Sequence, residues 1–245
     1  MSGLRGAVGF LTPLGGAASP SPRALLWFPL VGAAIGASLG VLWWAAGRAW
    51  PSLVAGALVV VADLASTGLL HVDGLVDSAD GLLPHLERER RLAVMSEPTV
   101  GAYGVVIAVI VLVSRWAALS SSVPWRIGPA VLLLAGLWCS ARSLMALTTT
   151  LVPYARAGEG GLASAFLGGD APVGAVALTG LFASFGLLLA WHAVAAPAVL
   201  AGVLGTWAAV LVLARRQIGG YTGDVLGAAG LLGETVGLIV AVARW

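Results

Sequence analysis

The sequence predicts an all-α polytopic integral membrane protein, and three observations lead to this fold class. Hydrophobic residues make up 59% of the 245 residues, and the mean hydropathy is +0.98. Only 10% of the residues are charged, so a soluble fold would have no core large enough for this much apolar surface. Apolar stretches of spanning length recur along the whole chain. We therefore expect one transmembrane domain over residues 1–245, with about seven transmembrane helices.

The predicted elements begin with an interfacial N-terminal segment, residues 1–22, because its apolar part is too short to span a bilayer and lacks a signal-peptide pattern. Gly32, Gly36 and Gly40 in the first span form a ridge of small residues, which predicts close packing against another helix of the same chain. The spans are expected at 24–47, 51–70, 100–114 and beyond, 128–152, 172–195, 197–214 and in the helix that follows Asp224.

An unusually acidic helix is predicted after the second span, at residues 71–83. Asp73, Asp77 and Asp80 stand at positions i, i+4 and i+7, so a helix places them on one face. Together they are three of only eleven acidic residues. Their mutual repulsion requires compensation, and a hard divalent cation such as Mg²⁺ prefers carboxylate and phosphate oxygens. A solvated charged face is the alternative, but it fits poorly because the helix follows directly on an apolar span.

The glycines of this helix, Gly74 and Gly81, would let a bulky phosphorylated ligand approach the backbone. The segment 71–98 is therefore predicted as an amphipathic acidic helix at the cytoplasmic face, followed by a polar loop. Arg88 and Arg90 in that loop either contact ligand phosphates or form charge pairs with neighbouring acids.

Three further ionisable residues are predicted inside the membrane, where charge is costly and is by default a sign of function. They are Asp63, Arg142 and Glu234. Asp63 either has a functional role or is hydrogen-bonded to a neighbouring helix. Arg142 either pairs with an acid such as Asp63 or Glu234, or binds an anionic substrate group from below. The sequence leaves both alternatives open.

Two later loops have the composition of anion-binding segments. Tyr154 and Arg156 precede a glycine-rich turn around Gly158, and a second glycine-rich loop ends at Asp224 where the last span begins. Free N–H groups and the helix dipole at such a position favour a phosphate. We interpret Asp224 as a metal ligand or a general base in preference to a helix N-cap.

The distribution of arginines predicts the topology, since all thirteen basic residues are arginine. A cytoplasmic N-terminus and an external C-terminus place eight arginines inside and three outside, as the positive-inside rule requires. The acidic helix and both loops then share the cytoplasmic face. The single cysteine, Cys139, excludes an internal disulfide, and the lack of a long basic cluster argues against nucleic-acid binding.

These residues resemble the cobalamin synthase family, the adenosylcobinamide-GDP ribazoletransferases. The acidic helix is similar to the family's His-x-Asp-Gly-Leu-x-Asp-x-x-Asp-Gly motif. The resemblance continues in the same order through Phe28-Pro29-Leu30-Val31-Gly32, Glu89-Arg90, Gly101 with Gly104, Arg142, Tyr154-Ala155-Arg156, Gly161-Leu162 with Phe166, and Gly219 to Ala228. One departure is Glu97-Pro98-Thr99, where the family commonly has Asp-Ser-Arg and thus an additional arginine.

The resemblance implies a Mg²⁺-dependent phosphotransferase of the bacterial cytoplasmic (inner) membrane. The enzyme would transfer the phosphocobinamide group of adenosylcobinamide-GDP to α-ribazole or its 5′-phosphate, with release of GMP. Homo-oligomers or complexes with other cobamide-assembly enzymes are possible partners. The implied catalytic and metal-binding residues are Asp73, Asp77, Asp80 and Asp224. The implied substrate contacts are His71, Gly74, Gly81, Arg88, Arg90, Arg142, Tyr154, Arg156, Gly220, Thr222 and Gly223.

Two other functions remain open from the sequence. A CDP-alcohol phosphotransferase-like phospholipid synthase would use similar chemistry at a membrane surface. A transporter would use Asp63, Arg142 and Glu234 as an ion path, but it leaves the acidic helix without a role, and no inverted repeat is visible.

Overall fold

The computed structural model describes residues 2–15, 21–156, 162–168 and 170–245. These residues form α-helices joined by short loops and three short 3₁₀ segments, and their one β-type pairing is an isolated bridge. The α-helices of the described residues are α1 (Ser2–Leu11), α2 (Phe28–Ala49), α3 (Ser52–Ser66), α4 (Leu70–Leu82), α5 (Arg88–Val94), α6 (Ala102–Ser121), α7 (Ile127–Leu151), α8 (Val173–Trp191), α9 (Ala196–Ile218) and α10 (Gly223–Ala241).

The predicted all-α polytopic membrane fold is confirmed. Within the described residues, six helices are long and apolar enough to cross a membrane: α2 with the 3₁₀ turn before it, α6, α7, α8, α9 and α10. A seventh span is obtained if α3 and α4 together count as one. The structure therefore agrees with the prediction of about seven spans when α3 and α4 are counted together as one span.

The second span differs from the predicted continuous helix over 51–70. Helix α3 ends at Ser66, α4 begins at Leu70, and the two axes meet at an angle of 87°. The turn between them places Gly68 and Leu69 at positive φ, and for Leu69 this is a strained conformation. The acidic helix α4 thus follows α3 after a sharp bend, and the pair forms either a broken span or a re-entrant loop.

Helix α4 packs into the bundle against α6 and α10. Gly74 lies against the backbone of Asp224, and a Cβ at this position would collide with it. One turn earlier in α4, the backbone of His71 lies against Gly227. The two helices therefore run antiparallel in close contact, and the first turn of α10 lies beside the acidic helix.

The glycine ridge of α2 packs internally, as predicted. Cβ atoms on Gly32, Gly36 and Gly40 would collide with the backbone of α7 at Trp138, Leu134 and Ala130. This close approach buries most of α7, including Cys139, which is a free thiol. Helices α2 and α7 thus form the central pair of the bundle.

A buried charge network joins four helices beside this central pair. Arg115 in α6 donates hydrogen bonds to Asp63 in α3 at 2.6 Å and to Glu234 in α10 at 3.2 Å. Arg142 in α7 donates to the other oxygen of Glu234, and Trp138 donates to Asp63 at 3.0 Å. All four charged residues are at most 4% exposed. The alternative in which Arg142 pairs with an acid is therefore the one the structure shows.

Candidate active site

The two predicted anion-binding loops meet at the same end of the bundle. The backbones of Tyr154 and Tyr221 form a parallel bridge, in which Ala155 N–H donates to Tyr221 O at 2.8 Å and Tyr221 N–H donates to Pro153 O at 3.0 Å. Gly220 is required here, because a Cβ would collide with the carbonyl of Pro153. Residues some 67 positions apart in sequence are thus held together directly at the start of α10.

Helix α5 ties these loops to the acidic helix. Arg88 donates to the backbone carbonyls of Ile218 at 3.0 Å and Ala155 at 3.1 Å. Arg91, which is 4% exposed, donates to the carbonyls of Gly81 and Leu82 at the C-terminus of α4. Cations at this end of a helix satisfy free carbonyls and oppose the negative pole of the dipole. The arginines of α5 therefore fix the position of the acidic helix.

A cavity of about 110 Å³ lies between α4, α7 and the start of α10. Its polar lining comes from His71, Tyr154, Arg156, Thr222 and Asp224, all of which were predicted as site residues. The remaining lining consists of Phe10, Leu70, Met145, Ala163, Gly223 and Gly227. Drug-sized ligands occupy roughly 300–1,000 Å³, so this cavity would hold one group of a large substrate.

His71 has no hydrogen-bond partner for either ring nitrogen among the residues that the structure describes. The side chain is 3% exposed and lines the cavity. Polar atoms buried to this degree are nearly always paired. Both ring nitrogens are therefore buried without a partner among the described residues.

Three carboxylates lie near one another, and one of them, Asp224, lines the cavity. Asp73 is exposed and Asp77 is half-buried on α4, and Asp224 lies at the adjoining start of α10. Asp77 is repelled by the charges of Asp224, Asp73 and Asp80, and is attracted by Arg156. Arg156 also approaches Asp224, with Nη2 3.8 Å from Oδ2. The predicted grouping of Asp224 with the first acidic cluster is thus present in the structure.

Asp80 differs from the other acids because its carboxylate is buried and already bonded. Its two oxygens accept the N–H groups of Gly101 at 2.7 Å and Gly104 at 2.9 Å, at the N-terminus of α6. Cβ atoms on these two glycines would collide with the same carboxylate. Asp80 therefore joins α4 to α6, a role that its prediction as a metal ligand did not include.

The N-cap of α10 is Thr222, which overturns the alternative of Asp224 as the cap. The Thr222 hydroxyl accepts the N–H of Val225 at 3.3 Å and donates to Asp224 Oδ2 at 3.2 Å. Asp224 is therefore held by Thr222 and is not itself the N-cap.

Tyr221 is excluded as a proton acceptor. It is fully buried in the loop between α9 and α10, and burial followed by the proximity of Tyr154 raises the pKa of Tyr221 to about 12. At neutral pH the phenol stays protonated. The carboxylates beside the cavity are left as the candidate bases.

Residues 3–242 match the family model described as cobalamin-5-phosphate synthase. The chain belongs to the cobalamin-5-phosphate synthase family. An adenosylcobinamide-GDP ribazoletransferase of Chlorobaculum parvum is 36% identical over 252 residues, which cover 100% of this chain and 96% of the relative. One from Bradyrhizobium diazoefficiens is 37% identical, with coverage of 98% and 93%. No solved structure matches the chain.

Membership of the cobalamin-5-phosphate synthase family agrees with the resemblance found in the sequence, but not every implied site residue lies at the cavity. Arg142 is in the buried network, Arg90 forms an exposed ion pair with Glu97 at 2.7 Å, and Arg88 holds backbone carbonyls. Gly81 packs against Met95. These residues are held by contacts within the protein. Their binding to substrate stays a prediction. The glycine turn around Gly158 lies outside the described residues.

Several site-forming residues were not identified from the sequence. The sequence did not predict that Arg91 holds the C-terminus of α4 or that Arg115 pairs with Asp63 and Glu234. Phe10 in α1 also reaches the cavity lining, where it stacks with Phe28 and contacts Phe166 edge-on. No pattern in the sequence around Phe10 or Arg115 indicates these contacts, because they depend on the packing of distant helices.

Proposed function

We propose that this chain transfers the phosphocobinamide group of adenosylcobinamide-GDP to α-ribazole or its 5′-phosphate, releasing GMP. The names of its relatives suggest the donor and the acceptor. The observation that carries the proposal is the grouping of Asp73 and Asp77 with Asp224, which lines a cavity at one end of the membrane bundle. A pyrophosphate-cleaving transfer needs such a site, because negative charge develops on the leaving phosphate.

We propose Mg²⁺ as the cofactor, held through one or two carboxylates among Asp73, Asp77 and Asp224. Among the described residues, no group of three His, Cys, Asp or Glu side chains is gathered closely enough to hold a metal alone. Mg²⁺ usually takes only one or two protein carboxylates and completes its shell with water and substrate phosphates. The repulsion between these acids is the feature that a cation would relieve. When bound, the ion would neutralise charge on the pyrophosphate.

The remaining steps fall to residues of the chain itself. Arg156 carries a guanidinium to the cavity, where a bidentate contact with phosphate oxygens would orient the donor. Asp224 accepts a hydrogen bond from Thr222 and would act either as a metal ligand or as the base that takes the proton of the attacking hydroxyl. Asp80, Arg88 and Arg91 position the helices that carry these groups.

The transporter alternative is not favoured by the structure. It required Asp63, Arg142 and Glu234 as an ion path, but the described contacts pair these residues with one another and with Arg115. Charges satisfied in this way hold helices together. We further propose that the enzyme lies in the bacterial cytoplasmic membrane with the site facing the cytoplasm, as the arginine distribution indicates.

The test is a reconstituted reaction. The purified protein in detergent micelles is incubated with adenosylcobinamide-GDP, α-ribazole and Mg²⁺, and GMP and adenosylcobalamin are measured by chromatography. Stoichiometric formation of both products, dependent on the acceptor, supports the proposal. Release of CMP from CDP-alcohol donors, without GMP release from adenosylcobinamide-GDP, would instead indicate the phospholipid synthase.

A further inference from the structure

An apolar groove lies behind the acidic helix, separate from the site cavity. It has a volume of about 160 Å³ and is lined by residues of α4, α6, α9 and α10. Nine of the ten lining residues are apolar, and the tenth, Ser78, has a buried hydroxyl. A ligand in this groove would therefore contact almost only hydrocarbon. None of the residues that line the site cavity lines the groove.

The position of the groove follows from the two faces of α4. Leu75, Ala79 and Leu82 stand at positions i, i+4 and i+7, are buried, and line the groove. At 100° per residue, this apolar face lies roughly 180° from the face that carries Asp73 and Asp77. A ligand in the groove would therefore contact the acidic helix from behind, without contacting its carboxylates.

The groove opens on the lipid-facing surface of the bundle. Its lining residues on α6 and α9, which include Ile107 and Val210, are only half-buried. Two positions further along each helix, Val109 is 55% exposed and Val212 is 49% exposed. Less than a third of the apolar window of either helix is buried. In a membrane span, such aliphatic surface faces acyl chains, so the groove is continuous with the surface that contacts lipid.

Two exposed arginines follow the groove along α9. Arg215 and Arg216 come two and three residues after Leu213, which lines the groove, and this spacing is roughly 3–5 Å along the helix axis. The ion pairs of the described residues involve other arginines. Both arginines oppose the helix dipole, and their charges remain open to an anion from outside the chain.

We propose that the groove binds an acyl chain of an anionic phospholipid, and that Arg215 and Arg216 bind its phosphate. An apolar cavity of about 150 Å³ takes up benzene, so the groove has room for a segment of an acyl chain. A polar ligand is disfavoured, because its buried polar atoms would stay unpaired. The bound chain would complete the packing of α4 on the side opposite its acids.

The experiment measures thermal unfolding of the purified protein in lipid-free detergent micelles. The probes are phosphatidylglycerol and phosphatidylcholine with identical acyl chains. Phosphatidylglycerol is expected to raise the Tm by about 3–6 °C, the shift for a ligand at roughly ten times its Kd on a chain of this size. Phosphatidylcholine should raise the Tm by less, because its headgroup has no net charge.

Two pairs of variants locate the binding. Val210→Phe places a larger side chain in the groove and should abolish the response to both lipids. Val212→Phe is the matched control on α9, because Val212 does not line the groove, and its response should equal that of the wild type. Ile107→Phe with its control Val109→Phe repeats the comparison on α6, in case Val210→Phe fails to fold.

The headgroup contact has a variant of its own. The double variant Arg215→Gln with Arg216→Gln leaves the groove unchanged and removes both charges. Its Tm shift with phosphatidylglycerol should fall to the shift seen with phosphatidylcholine. An unchanged preference for phosphatidylglycerol in this variant would overturn the assignment of the two arginines.

The inference fails if Val210→Phe and Ile107→Phe respond to lipid like their controls, as expected for lipid bound over the whole surface. It also fails if both lipids shift the wild type equally. A Tm rise with adenosylcobinamide-GDP, and not with lipid, that Val210→Phe abolishes would assign the groove to the substrate. The lipid measurements involve no transfer reaction, so their outcome is independent of the proposed function.

Discussion

Asp80 accepts a hydrogen bond from the backbone N–H of Gly104 at 2.9 Å, and through this contact the acidic helix α4 is fastened to the first turn of α6. The second oxygen of the same carboxylate accepts from Gly101. The three acids of the motif are therefore not equivalent. Asp80 is bonded to α6, whereas Asp73 and Asp77 remain as candidate site residues.

Replacing Asp80 should destabilise the protein. Asp80→Ala removes both bonds to α6 and is expected to cost about 1–2 kcal/mol of unfolding free energy, as for loss of a helix cap. Asp80→Asn keeps one acceptor oxygen and should cost less. Thermal unfolding in detergent measures both effects. Full stability of Asp80→Ala, together with loss of transfer, would show instead that Asp80 acts as a metal ligand.

Asp77→Asn should have the opposite effect. The neutral amide relieves repulsion from Asp73 and Asp224, so stability should be unchanged or slightly higher. Transfer should fall by about a hundredfold or more, because a proposed ligand of Mg²⁺ is lost. The measurement is GMP release across a Mg²⁺ titration. Near-normal turnover at both limiting and saturating Mg²⁺ would contradict a role for Asp77 in metal binding.

Thr222 and Asp224 should separate stability from turnover. Thr222→Ala removes the N-cap of α10 and is expected to cost about 1 kcal/mol. Asp224→Asn leaves that cap in place, so it should unfold like the wild type while losing about a hundredfold in turnover or more. Unfolding curves and GMP release are measured on the same preparations. Wild-type turnover by Asp224→Asn would exclude the residue from catalysis.

Replacing Arg142 in the buried network should destabilise the protein strongly, and a second substitution should recover part of that loss. Arg142→Met leaves the carboxylates of Asp63 and Glu234 with Arg115 as their remaining basic partner, and an uncompensated buried charge costs about 3–5 kcal/mol. Adding Glu234→Gln restores the balance and should recover part of the loss. Unfolding in mixed micelles is the readout. If Arg142→Met is stable but shows a raised KM for adenosylcobinamide-GDP, Arg142 is a substrate contact.

Gly220→Ala should disrupt the site without affecting the rest of the bundle. The added Cβ collides with Pro153 and breaks the pairing of Tyr154 with Tyr221, so GMP release should fall by at least about tenfold, the equivalent of one lost hydrogen bond. Gly186→Ala is the matched control, since open space surrounds that position in α8. Equal activity of the two variants would show that the pairing is not needed.

Periodicity and hydropathy were enough to predict the helical membrane fold and the common face of Asp73 and Asp77, because both depend on local sequence. The pairing of Asp63 with Arg115 could not be predicted from the sequence. The two residues are 52 positions apart and come together only because α3 packs against α6.

The break after Ser66 was missed for a different reason. Hydropathy does not register backbone direction, and Leu69 gives no sign of its positive φ. Thr222 could have been recognised as a cap, because threonine three residues before the next apolar position is a common helix start. The capping alternative was considered for Asp224, two residues later, and not for Thr222.

The bend between α3 and α4 affects how the protein fits into a lipid bilayer. With 15 residues, α3 extends about 22 Å, less than the hydrocarbon thickness of about 30 Å. If α3 starts at the bilayer surface, the turn at Gly68 and Leu69 lies within the hydrocarbon, where irregular backbone is tolerated only against protein or water. Water-soluble substrates would then bind at a site below the level of the lipid headgroups. Activity should depend on the acyl-chain length of the surrounding bilayer.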